Sequence, residues 1–118
     1  MRHDARFLAS EILRRFNNKI KLDILFEKTF TKYNPDSRVR YRTVATVNDI
    51  IRLTGRIDFM IKNISGKKNS QIARPILSIL RIGFYEIFMD DHIPDYAAVD
   101  SAVELANKIS NQRSAGFV

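Results

Sequence analysis

The apolar positions of this chain recur at intervals of three and four residues almost from its first turn. Ala5, Leu8, Ala9, Ile12, Leu13 and Phe16 form one stripe, which predicts a helix over residues 4–17 with Asn17-Asn18 as its stop. Leu22, Leu25, Phe26 and Phe30 predict a second, shorter helix over residues 22–32. Tyr33-Asn34-Pro35-Asp36 is turn chemistry, because proline pushes the residue before it out of the helical region. Asp36 or Ser37 can then cap a third helix. That helix turns Val39, Thr43, Val47, Ile50 and Ile51 inward, and Gly55 is where it is expected to kink or end. Ile57, Met60, Ile61 and Ile64 continue the period as far as the polar loop Ser65-Gly66-Lys67-Lys68-Asn69-Ser70.

The next predicted helix, residues 71–89, differs in kind. Ile76, Leu77, Ile79, Leu80, Ile82, Phe84, Tyr85, Ile87 and Phe88 occupy almost its whole circumference, and a helix apolar all round belongs at the centre of a bundle. Pro75 fits only in its first turn. Asp90-Asp91-His92-Ile93-Pro94 breaks the chain, and Asp95 can cap a last helix carrying Ala98, Val99, Ala102, Val103, Ala106 and Ile109 on one face. No alternating strand pattern and no internal repeat is found. The expected fold is an all-α bundle of about six helices in one domain over residues 1–118.

Composition narrows the function classes. The 118 residues suffice for one buried core, and 45% of them are hydrophobic. There is no cysteine, hence no disulfide framework, zinc knuckle or thiol nucleophile. The N-terminus, Met1-Arg2-His3-Asp4-Ala5-Arg6, lacks the apolar run of a secretory signal, and Arg81 and Glu86 interrupt the best candidate for a membrane span. A cytoplasmic location is the expectation. The four glycines form no phosphate-cradling loop, and His3 and His92 lack metal-ligand spacing. Asp90-Asp91 is a carboxylate pair on a loop, better read as solvated than catalytic. The expectation is therefore no catalytic residue, no metal site and no cofactor-binding site in this chain.

Charge is the informative remainder. Lys and Arg number 20 against 13 Asp and Glu, a net charge of +7. Residues 1–81 carry +11 and residues 82–118 carry −4. Such an asymmetry suits a basic face for a polyanion and an acidic face for something else. The candidate RNA-binding residues are Arg2, Arg6, Arg14, Arg15, Lys19, Arg38, Arg40, Arg42, Lys67 and Lys68. Arginine suits phosphate because its planar fork donates two hydrogen bonds at once, although any single exposed arginine is ordinarily a solubilising group. Tyr33, Tyr41 and Tyr96 are the only candidates for base stacking, and the eight Phe residues read as core. Contact with phosphates, without strong base readout, is the expected mode.

The order of motifs in the C-terminal half carries a resemblance. Leu80-Arg81-Ile82-Gly83-Phe84-Tyr85-Glu86 is followed by Ile93-Pro94-Asp95-Tyr96-Ala97-Ala98-Val99-Asp100-Ser101-Ala102-Val103-Glu104-Leu105-Ala106, and Gly116-Phe117-Val118 stands at the end. This order resembles the NusB family of all-helical RNA-binding domains. Leu53-Thr54-Gly55-Arg56-Ile57-Asp58 and the Pro-x-x-Ala-Ala-Val stretch look closest to the N-terminal domain of the Sun/Fmu (RsmB-type) rRNA 5-methylcytosine methyltransferases. The family's usual Asn-Glu is Asp100-Ser101 here. Its Gly-Phe-Val ordinarily runs on into a further helix, so the resemblance makes this an N-terminal fragment with apolar surface exposed where that helix would dock.

The resemblance implies an RNA-facing accessory domain that holds ribosomal RNA beside a catalytic domain of the same polypeptide. S-adenosylmethionine and the cysteine nucleophile would both belong to that other domain. In the antitermination branch of the family an arginine-rich N-terminus helps to bind RNA, and Arg2 and Arg6 are the matching positions. The alternatives are a free-standing transcription antitermination factor, which binds RNA together with a ribosomal protein, and a helical protein-interaction module whose charge is incidental.

Overall fold

In a computed structural model of the chain, residues 4–17, 19–67, 71–89 and 103–104 are described. They form five helices and no strand: α1 (Ala5–Arg15), α2 (Leu22–Tyr33), α3 (Ser37–Arg52), α4 (Thr54–Ser65) and α5 (Arg74–Met89). Five, not six, is the number among the described residues. The helix expected near residues 95–110 lies outside them except for Val103 and Glu104, which are helical. The Asp90-Asp91-His92 loop and the Gly116-Phe117-Val118 end, where a docking surface was expected, also lie outside them.

Each boundary has a local cause. The Asp4 carboxylate accepts from the Phe7 N–H at 2.9 Å and starts α1. The helix ends at Arg15, with Phe16 already extended. Asn17 then turns the chain, its side-chain oxygen accepting from the N–H groups of Lys19 and Ile20 at 2.7 and 3.2 Å. Asn34, in the left-handed region at φ 45°, closes α2. Of the two caps expected for α3, Asp36 is the one used; its carboxylate accepts from the Val39 N–H at 2.9 Å.

The break after α3 falls at Leu53, two residues before the expected Gly55, which is an ordinary residue inside α4. At the break the Thr54 hydroxyl donates to the Ile50 carbonyl at 2.7 Å, giving that carbonyl a side-chain partner. Gly66 is the glycine that conformation requires: it caps α4 at φ 72°, where any side chain would be strained. Helix α5 begins at Arg74, three residues later than expected, so Pro75 sits in its first turn, where a missing N–H costs nothing.

Helix α5 is central, packing against α1, α3 and α4. The core joins Leu8 and Ile12 of α1, Val47 and Ile50 of α3, Ile57 and Ile61 of α4, and Ile79 of α5, all fully buried. Three polar tethers fix how α5 sits. Arg81 makes a two-pronged bond to Asp58 of α4, with both N–O distances 2.9 Å. The Tyr85 hydroxyl donates to Asp49 of α3 at 2.6 Å. Glu86 accepts from the Arg6 Nε of α1 at 2.8 Å. Arg81 and Glu86, which looked like mere interruptions of an apolar run, are the groups that lock the bundle. Among the described residues no helix is long and apolar enough to cross a membrane.

Candidate nucleic-acid interface

The start of α1, residues 38–46 of α3 and the C-terminal part of α5 border a cleft of about 590 Å³. Asp4, Ala5 and Arg6 line it from α1; Arg38, Val39, Arg42, Ala45 and Thr46 from α3; Tyr85 and Glu86 from α5. Three of the ten candidate residues thus meet at one place. Arg6 and Arg42 belong to helices far apart in sequence, and only packing on α5 brings them together.

The cleft is not uniformly basic. Glu86, only 4% exposed, grips Arg6 through Nε at 2.8 and 3.1 Å and through one terminal nitrogen at 3.0 Å. A carboxylate so buried needs that counter-ion, and Arg6 spends part of its fork supplying it. Arg38 and Arg42 are exposed, and neither has an ion pair among the described residues. Arg38 sits in the first turn of α3, two residues after the Asp36 carboxylate that caps the helix.

The other candidates separate from this cleft. Arg14 and Arg15 lie at the far end of α1, about 12 Å along its axis from Arg6. Both reach Glu11, at 2.6 and 3.4 Å, and both suit the negative end of the helix dipole, so their presence has a structural reason. Lys19 is exposed in the loop after α1. Arg40 folds back on the α2–α3 turn: it donates to the Pro35 carbonyl at 2.9 Å and the Asn34 side chain at 3.3 Å, and lies 5.4 Å over the Phe30 ring. Lys67 is exposed beyond the end of α4. Arg2 and Lys68 lie outside the described residues.

Sequence reasoning missed Glu86, Asp49, Asp58 and Tyr85. The signal was available for Glu86: a lone carboxylate in the most apolar segment must find a cation once that segment is buried. Its partner, some 80 residues away, had no such signal. Among the described residues no group of His, Asp and Glu comes together that could hold a metal ion.

The described residues therefore define a small all-helical domain whose arginines from separate helices face one cleft. The chain belongs to the NusB family, which it matches over residues 3–118. It is 30% identical over 119 residues to the transcription antitermination protein NusB of Ruminiclostridium cellulolyticum, covering 89% of this chain and 82% of that one. To the protein of the same name from Levilactobacillus brevis it is 32% identical over 123 residues, covering 99% and 86%. To that from Acetivibrio thermocellus it is 33% identical over 91 residues, covering 76% and 63%.

Proposed function

We propose that the chain is a non-catalytic RNA-binding factor of the transcription antitermination type, acting in the cytoplasm together with a ribosomal protein. The observation that carries the reading is the meeting of Arg6, Arg38 and Arg42 at one cleft, two of them exposed and without an ion pair among the described residues. The relatives that align with most of the chain support antitermination as the process, since each bears that name. Phosphates are held by the exposed arginines, with Arg6 set in place by Glu86. Lys19 and Lys67, also exposed, extend the basic surface, whereas Arg14, Arg15 and Arg40 are largely occupied within the protein.

The test is titration of a single-stranded RNA at several salt concentrations. Arg38→Glu with Arg42→Glu should weaken binding and flatten the dependence of log K on log salt by about 1.4, the share of two phosphate contacts on a single strand. Unchanged affinity and slope would sink the assignment and leave a protein-interaction module.

A second reading makes the chain the N-terminal arm of an rRNA 5-methylcytosine methyltransferase, with ribosomal RNA as ligand and S-adenosylmethionine bound by a separate catalytic domain. It rests on the likeness of Leu53-Thr54-Gly55-Arg56-Ile57-Asp58 and of Pro94 to Val99 to that branch. A denaturing blot of the source cell separates the two. A band several times heavier than 13.7 kDa favours the arm, and a band close to that mass favours the antitermination factor.

A further inference from the structure

We propose that the outer face of α3 is a track for single-stranded RNA, in which Tyr41 stacks a base while Arg38 and Arg42 hold phosphates on either side. The inference rests on the RNA-binding reading and adds to it a residue that reads bases. Tyr41 is 78% exposed, the most exposed large apolar side chain among the described residues. Of the other stacking candidates, Tyr33 is committed to the core, edge-on to Phe7 at 5.4 Å with Lys32 over its ring, and Tyr96 lies outside the described residues.

A single exposed aromatic needs no explanation by itself. Its setting does the arguing. Arg38, Tyr41, Arg42 and Ala45 fall within roughly 100° of one side of the helix, and the two arginines stand about 6 Å apart along its axis. Ala45, one turn on, is small and adds little bulk between the ring and the cleft. Both arginines also line the cleft, so a strand whose phosphates enter the cleft passes Tyr41. Every base has a π-face, so such a platform is tolerant of sequence. Phe59 supplies the control: it is 66% exposed on α4 between Arg56 and Lys62, but neither of those cations lines the cleft, whereas Arg38 and Arg42 beside Tyr41 both do.

The experiment uses the full chain, a labelled mixed-sequence RNA of roughly 12 nucleotides, within the range of such sites, and inorganic polyphosphate as a probe with phosphates and no bases. Tyr41→Ala should weaken RNA binding by roughly 5- to 150-fold, the loss seen when a stacking aromatic is truncated. Tyr41→Phe should bind as the parent does. Neither change should alter polyphosphate binding, and Phe59→Ala should alter neither. Because the chain has no tryptophan, Tyr41→Trp also makes a single reporter whose fluorescence RNA should quench. If the parent protein binds RNA and Tyr41→Ala binds it equally well, or loses polyphosphate in proportion, the stacking role is overturned and the RNA reading survives. If the parent binds no RNA, the reading beneath it falls.

Discussion

Removing Arg6 should harm the protein more than neutralising its partner. Glu86 is 4% exposed, whereas the Arg6 side chain is 30% exposed and opens on the cleft. Arg6→Ala leaves a carboxylate in the interior with its ion-pair partner gone. Breaking a buried pair in this way costs about 3–5 kcal/mol, and the open side of the cleft places this case near 3. Glu86→Gln keeps the shape and one acceptor oxygen while Arg6 turns its charge to water, a loss of about 1 kcal/mol. At this chain length each kcal/mol moves the melting temperature by about 4 °C, giving falls of about 12 and 4 °C. Thermal melting followed by far-UV circular dichroism, without RNA, measures both. The double variant should melt above the sum of the two losses, because a neutral amide at position 86 no longer needs the cation that the alanine substitution removes. Equal losses in the single variants, or additive losses in the double, would refute a charge-burial origin for the pair.

Two further outcomes follow from the core and the caps. Ile61→Ala, at a fully buried position of α4, should cost about 2–5 kcal/mol and lower the denaturant midpoint without changing the slope of the transition. Asp36→Ala removes the acceptor for the Val39 N–H and should cost about 1 kcal/mol, read from the same melts.

The helices were legible wherever periodicity and a cap coincide. Asp36 and the Tyr33-Asn34-Pro35 turn are visible in the residues because their chemistry acts within a few positions. The central place of α5 was legible for the same reason: a helix without a polar face has only one place to go. The α3–α4 break was misplaced because glycine is a permissive residue, not an instruction: Gly55 lies inside α4 and the chain breaks at Leu53. Of the site, residue types were legible and grouping was not. Arg38, Arg40 and Arg42 look alike in sequence; the first and last line the cleft, while Arg40, about 200° round the helix from either neighbour in the series, clamps a turn. Arg6 was marked for its charge, but that charge is shared with a carboxylate some 80 residues away, and such separations leave no periodic trace.

That same separation bears on how the chain is made. Of the described helices α1 leaves the ribosome first, and the helix that covers much of it, α5, is the last of them to be synthesised. At about 5–20 residues per second, some 80 residues of translation take roughly 4–16 s. For that interval Leu8 and Ile12 lack their final neighbours and Arg6 lacks Glu86. The nascent chain thus carries α1, apolar on one face and basic at its ends, for several seconds before α5 can close over it.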